Sequence, residues 1–318
     1  MLKEIIKAIK NNKRFLVTTH VNPDPDALCS ELAIAAILHF LGKNVSIINN
    51  EEVPIRFRFL PGINAIRAYR EKQNIPYDCM IIVDCGDLNR IGKVLNLVKK
   101  DKMIINIDHH ITNNLFGDVH CVNTKASSTA EILYDLLKEA RCPLTKKLAL
   151  YLYVGIMTDT GSFRYENTTG RTHLIAGELM KYNIPANELY RKFYETVSLN
   201  DLKLFTKVIN RLEALFSGKV VCVELHRKIL SKFSQEFDLR DMTFKFLRSI
   251  KAVEVIIIFT EMNRNETRVN LRSTNKVNVA KVAHFFKGGG HRRASGCLIR
   301  HNIQGAKKRM LNQIRRVL

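Results

Sequence analysis

The sequence predicts an α/β protein of two domains, a first with a mainly parallel sheet flanked by helices and then a smaller α/β domain. Three observations carry this. Apolar runs within 15–17, 44–49, 77–87 and 103–110 are unbroken, as expected of strands covered on both faces. Helical segments separate them, as parallel connections require. From Gly218 the texture changes to strand-like stretches at 219–224, 253–259 and 267–272, with a helical stretch between the first two. A chain of 318 residues also exceeds a typical single domain. The expected division is 1–190 for the first domain, 191–216 for a helical connector and 217–318 for the second.

In chain order, Met1–Lys7 reads as a short amphipathic helix and not as a signal peptide. The run Phe15-Leu16-Val17 ends in a loop that carries His20, Asp24 and Asp26. A helical pattern follows through Leu28, Leu32, Ile34, Ala35, Ile37, Leu38 and Leu41, with Gly42 as its C′ stop. Residues 44–49 form a second strand, and Pro54, Pro61 and Gly62 punctuate a loop. The strand at 77–87 ends in Asp84 and Asp87, and 103–110 repeats the design with Asp108, His109 and His110. Three strand ends bearing acids or histidines converge on one edge of a parallel sheet, where open α/β folds bind ligands. Carboxylates mixed with imidazole suit manganese or a similar divalent ion. For the first loop alone, an Asp-rich turn with helix-capping carboxylates is an equal alternative.

Ser128-Thr129-Ala130-Glu131 resembles a capping box opening a helix at Ala130–Ala140, a role that suffices for Ser128. The stretch 145–157 is a largely apolar, hence buried, helix that leads into Asp159. A carboxylate there opposes the helix dipole, so a compensating cation is expected. Residues 171–216 are helical in pattern. In the second domain a helix at 278–286 runs into Gly288-Gly289-Gly290-His291-Arg292-Arg293-Ala294-Ser295-Gly296. Three glycines let backbone N–H groups approach a ligand, and His291 with two arginines supplies charge for a nucleotide phosphate.

The net charge of +21, from 51 basic and 30 acidic side chains, favours a polyanionic partner. Lysines spread along the chain also fit a merely Lys-rich composition. Seven scattered cysteines, an odd number without a Cys-x-x-Cys pair, argue against a disulfide framework or zinc ribbon and suggest a reducing, cytoplasmic compartment. No apolar run is long enough to span a bilayer.

Taken together, His20…Asp24-Pro25-Asp26, Asp84, Asp108-His109-His110 and Asp159 resemble, in order, the motifs of the DHH phosphoesterase superfamily. Gly288-Gly289-Gly290-His291 resembles its DHHA1 domain. A two-domain chain of this size is most similar to the NrnA-type nanoRNase/pAp phosphatases. RecJ-type exonucleases carry further domains, and family II pyrophosphatases lack the Gly-Gly-Gly-His element. Pro25 and Cys29 depart from the family, which has Gly at the first position usually and at the second often. Neither change removes a ligand, though both bear on loop geometry.

The resemblance implies two manganese ions bridged by Asp84. His20 and Asp24 complete one site, and Asp26, His109 and Asp159 complete the other. It implies that His110 faces the substrate as electrostatic partner or acid, with Asp108 holding a histidine tautomer. Asp87 is read as a turn or supporting acid. In the second domain Arg272, Ser273, Gly288, Gly289, Gly290, His291 and Arg292 would hold the nucleotide remote from the cut. Arg164 would contact substrate near the metals. The expected function is manganese-dependent hydrolysis of very short oligoribonucleotides to mononucleotides, with removal of the 3′-phosphate from pAp. Its alternatives are a cyclic or linear dinucleotide phosphodiesterase (c-di-AMP/pApA type), a single-strand exonuclease, or a non-catalytic nucleic-acid-binding protein. Expected partners are short RNA oligonucleotides, pAp or dinucleotides, and no membrane. A homodimer is compatible with the chain, whose sequence does not fix an oligomeric state.

Overall fold

The computed structural model describes residues 1–234, 237–274 and 276–318. Two compact units result, Met1–Phe193 and Tyr194–Leu318. The first runs α1 (Leu2–Asn11), β1 (Arg14–Thr18), α2 (Pro25–Phe40), β2 (Asn44–Asn49), β3 (Ile66–Ala68), β4 (Cys79–Val83), β5 (Met103–Asp108) and β6 (Val119–Val122). It closes with α3 (Thr129–Glu139), α4 (Lys146–Asp159), α5 (Gly170–Met180) and α6 (Ala186–Tyr194).

Its sheet has the order β3-β2-β1-β4-β5-β6 with every pair parallel. The direction of strand addition therefore reverses between β1 and β4. At such a switch point the connections leave on opposite sides and open a crevice at the carboxyl ends of the two strands. Pairing of Thr18 with Ile82, and of Val83 with Ile107, brings the ends of β1, β4 and β5 level. One face of the sheet, Leu16, Ile48, Met80 and Ile82, is covered by Ile91, Val94 and Leu97 of a 3-10 segment, Leu88–Leu97. The chain thus folds as the α/β, mainly parallel design that its unbroken apolar runs imply.

Several local readings need correction. α2 starts at Pro25, ahead of the Leu28 periodicity. Asp24 caps it by accepting from the Ala27 amide at 3.0 Å, and proline at the first helical position needs no N–H. Asp26 is therefore a buried first-turn residue and not part of a loop. Glu131 does not complete a capping box. Ser128 caps the Glu131 amide at 3.2 Å, whereas the Glu131 carboxylate turns to Ser127. The short strands β3 and β6 escaped notice because three or four residues carry too little periodicity to register.

The second unit contains α7 (Leu199–Ile209), β7 (Glu213–Leu215), β8 (Val220–Leu225), α8 (Arg227–Leu230), α9 (Leu239–Leu247), β9 (Val255–Asn263) and β10 (Glu266–Ser273). Then follow α10 (Val279–Phe285), β11 (Gly289–His291), β12 (Ala294–Ile299) and α11 (Ile303–Ile314). The helical reading of 171–216 fails at its end, where β7 forms an edge strand. The sheet order is β11-β12-β10-β9-β8-β7, antiparallel except for β8 and β9. Alternate residues of β9 point to opposite cores. Val255, Ile257 and Phe259 meet α10 and α11, while Ile256 and Ile258 meet Phe205, Val208, Leu239 and Leu247.

The triple glycine is explained in part by this sheet. A Cβ on Gly288 would collide with the Gly296 carbonyl and lie 2.5 Å from Cys297 Cβ. Gly290 has φ +133°, and a Cβ there would lie 2.5 Å from the Ala294 carbonyl. Gly289 alone faces open space. Two of the three glycines are thus demanded by close packing on β12, before any ligand is considered. Gly288→Ala is expected to destabilise the second unit by about 1–3 kcal/mol, the usual effect of overpacking. Gly289→Ala should stay within about 0.5 kcal/mol of the parent, as exposed positions do. Scanning calorimetry of the full chain checks this, and equal effects at the two positions would contradict it.

Candidate metal centre

His20 leaves β1 on the carboxyl edge of the sheet. Its Nδ1 lies 2.9 Å from the Val21 carbonyl, which can only accept, so Nδ1 carries the proton. Nε2 then presents its lone pair toward Asp84 Oδ2, 3.6 Å away. Asp84 follows β4 with φ +53°, in the left-handed region, and its amide donates to the Ile107 carbonyl at 2.9 Å. Such a conformation costs a non-glycine residue about 1 kcal/mol or more, and the surrounding strands impose it. The reward is position: the Asp84 carboxylate is only 2% exposed, with its two oxygens facing different histidines. Oδ1 is 3.6 Å from His109 Nε2, and that nitrogen is 3.4 Å from Asp159 Oδ2 at the end of α4.

Asp26 lies where α2, α3 and α4 meet. It accepts from the Thr129 amide at 2.8 Å and the Ala130 amide at 3.1 Å, so the start of α3 cradles its charge. Thr129 also donates its hydroxyl to Asp84 Oδ1 at 2.8 Å. Gly155 makes room, since a Cβ there would collide with Asp26 Oδ1 and lie 2.5 Å from Ala130 Cβ. Potential donor atoms gather in three groups: His20 with Asp24 and Asp84; Asp26 with His109 and Asp159; and Asp84 with His109 and His110. Within each group they lie within 4.8 Å of one another.

Asp108 is fully buried and already engaged. One oxygen accepts from His110 Nδ1 at 2.6 Å, the other from Asn113 Nδ2 at 2.6 Å. It orients His110, whose Nδ1 is 3.8 Å from Asp84 Oδ1. Asp87 caps the 3-10 segment by accepting from the Asn89 amide at 2.8 Å. Arg164 is exposed and donates from Nε to the Gly161 carbonyl at 2.8 Å. In the second unit, Arg272 on β10 pairs with Ala294 and places its guanidinium 4.8 Å from the Phe244 ring centre. Ser273 Oγ is buried without a hydrogen-bond partner among the described residues, and Arg292 is exposed. His291 contributes backbone to β11, and its side chain lies outside the described part. Sequence reasoning missed Thr129 and Asn113. A capping pattern marks where a helix starts, but not which buried acid its amides will meet.

The electrostatics separate the carboxylates. Burial pushes Asp84 up, but the nearby His20 and the charges of His109, His110 and His20 outweigh it and hold Asp84 well below the usual range. Asp26 is driven well above that range by burial and by Asp84, Asp159 and Asp24. Burial, with Asp24 and Asp84, pushes Asp159 up to about 7. His110 reaches about 9: burial opposes its charge, but the bond to Asp108 and the neighbouring carboxylates prevail. Among the described residues no Lys or Arg forms an ion pair with Asp24, Asp26, Asp84 or Asp159. Four carboxylates with imidazole nitrogens among them fit divalent cations that accept oxygen and nitrogen together and displace the imidazole protons on binding.

This crowding predicts how stability depends on pH. Asp159 and His110 bind protons more tightly folded than unfolded, so the stability they contribute is full at low pH and is lost as pH rises through about 7 and about 9. In chelator, the melting temperature should fall between pH 6 and 8. Added manganese should restore it, and Asp159→Asn should flatten the fall. A chelated chain whose melting temperature rises over this interval would contradict the assignment.

Comparison with known proteins bears on family and fold. The model of the DHH family, N-terminal domain, matches residues 14–156, and that of the DHHA1 domain matches residues 218–318. The bifunctional oligoribonuclease and PAP phosphatase NrnA of Bacillus subtilis is 30% identical over 304 residues, covering 94% of this chain and 93% of the relative. The protein of the same name from Thermus thermophilus is 29% identical over 322 residues, covering 100% and 94%. The crystal structure of an exopolyphosphatase-related protein from Bacteroides fragilis superposes with a TM-score of 0.91 at 26% identity, covering 99% of this chain and 95% of that one. By sequence and by fold, the chain belongs to the DHH family and carries a DHHA1 domain at its C-terminal end.

Proposed function

We propose that this chain is a manganese-dependent phosphoesterase that hydrolyses very short oligoribonucleotides to mononucleotides and removes the 3′-phosphate from pAp. The observation that carries the proposal is Asp84, whose two oxygens each face a different histidine at 3.6 Å. A carboxylate so placed would serve two cations, one on each oxygen, and supports this reading. His20 and Asp24 would complete one site, and Asp26, His109 and Asp159 the other. Imidazole in both sets favours manganese over magnesium, which prefers an all-oxygen octahedron. Two such ions, when bound, activate a water and stabilise the oxygens of an in-line phosphoryl displacement. The names of the relatives, oligoribonuclease and PAP phosphatase, support the substrate class.

The chain's own residues supply the rest. His110 is cationic at neutral pH because Asp108 holds its Nδ1 proton. Its ring is 23% exposed, and the imidazolium is proposed to give a proton to the departing oxygen as the phosphorus–oxygen bond breaks. Asp108 then keeps the imidazole in the orientation and tautomer needed to take up the next proton. Thr129, through its hydroxyl, fixes the Asp84 rotamer while leaving Oδ2 uncommitted by that bond. In the second unit, Arg272, Ser273, Gly289, His291 and Arg292 are proposed to hold the far nucleotide. A guanidinium such as that of Arg272 grips phosphate bidentately.

A site that registers one scissile phosphate and one neighbouring nucleotide gains little from a longer strand. The value of kcat/KM, measured at fixed salt on RNA of two to twenty residues, should be highest for dimers to pentamers. A steady rise with length would overturn the short-RNA reading in favour of a processive exonuclease. Asp84→Ala should lower kcat on a dinucleotide by about a thousandfold or more, equivalent to ~4 kcal/mol of transition-state stabilisation. Activity within tenfold of the parent would remove Asp84 from the centre of the mechanism.

A further inference from the structure

The second unit holds a cavity that none of these roles uses. It is an open groove of about 870 Å³, lined among others by Lys207, Arg211, Arg227, Lys228, Lys232 and Arg264. Glu261 is the only acid in its wall. Six cations to one anion is far from the chain-wide 51 to 30, so a generally basic composition does not account for it. Among the described residues none of the six forms an ion pair. Glu261, moreover, is occupied, accepting from the Arg227 amide at 2.9 Å and lying 3.7 Å from His226 Nδ1. The positive charge faces solvent, from three separate parts of the chain: α7 and its C-terminal end, α8 and the turn after it, and the β9–β10 hairpin.

Position sets this cavity apart from the proposed nucleotide site of the same unit. Arg272 pairs with Ile256 at the start of β9, whereas Glu261 stands five residues further along the strand. At strand rise that separation is roughly 17 Å, so the two lie toward opposite ends of one sheet. The volume is at the upper end for a pocket closed around one small molecule. Its walls also offer Leu204 and Ile229, apolar surface for bases or ribose between the cations. A flat anionic membrane would leave such a concavity unfilled, whereas a flexible phosphodiester strand can thread it.

We infer that this groove binds the backbone of single-stranded RNA, as a second site distinct from the one that presents a nucleotide for cleavage. Lys and Arg along a groove read phosphate without reading sequence, and each contact adds to the salt dependence of binding. The inference goes beyond the proposed activity and does not require it, because the groove holds strand and performs no chemistry.

The test uses the full, manganese-loaded chain and a fluorescent 12-nucleotide RNA with phosphorothioate linkages, which resist cleavage. Binding is measured by anisotropy across a salt series for the parent and for the triple variant Lys228→Ala, Lys232→Ala, Arg264→Ala. The variant should bind at least about tenfold more weakly, and the slope of log affinity against log salt should shrink by about 2, near 0.7 for each lost contact. Its kcat/KM on a dinucleotide should stay within twofold of the parent. RNA carrying 4-thiouridine should cross-link to peptides spanning 226–232 or Arg264. Unchanged affinity and slope, or cross-links confined to residues 272–293, would overturn the inference. So would a variant that keeps its RNA affinity but loses binding to vesicles containing phosphatidylserine. If the parent fails to cleave any short RNA but these binding results hold, the catalytic proposal falls and the groove stands.

Discussion

The structure is organised around the mutual repulsion of four carboxylates. Asp24, Asp26, Asp84 and Asp159 come from a loop end, a helix start, a strand end and a helix end; the other three all raise the proton affinity of Asp26, and Asp24 and Asp84 raise that of Asp159. Burial of Asp26 and Asp84 aggravates the repulsion, because low dielectric penalises unpaired charge. The surrounding fold imposes such a group, and protonation or a bound cation relieves it.

The fold supplies partial relief by means that recur around the site. Two amides at the start of α3 solvate Asp26, the Thr129 hydroxyl solvates Asp84, and Gly155 lets the helices close over both. Histidines face the carboxylates but, at 3.4–3.8 Å, do not close hydrogen bonds with Asp84 or Asp159. The one tight pair, His110 with Asp108 at 2.6 Å, belongs to a different task. The strained backbone at Asp84 is consistent with the same economy: the strand could end without strain, but its carboxylate would then point elsewhere.

Much of this was legible from residue order. Unbroken runs such as Cys79–Val83 identify covered parallel strands, and acids immediately after them gather at one edge, because a parallel sheet brings its strand ends together. What escaped was tertiary. Nothing local in Thr129 says that its hydroxyl will meet a residue 45 positions earlier. Likewise Gly288 and Gly290 read as ligand-facing until the neighbouring strand β12 shows that packing already excludes a side chain. The basic groove was invisible because its cations come from segments that are unremarkable singly. The start of α2 was legible but misjudged, since Asp24-Pro25 signals a helix start before the apolar pattern begins.

Sharing of Asp84 between two cations can be measured by electron paramagnetic resonance of the metal-stripped chain titrated with manganese. Two ions joined through one carboxylate should give two equivalents per chain and an exchange-coupled spectrum that replaces the six-line signal of isolated manganese. An uncoupled six-line spectrum at saturation, or saturation at one equivalent, would contradict a shared Asp84.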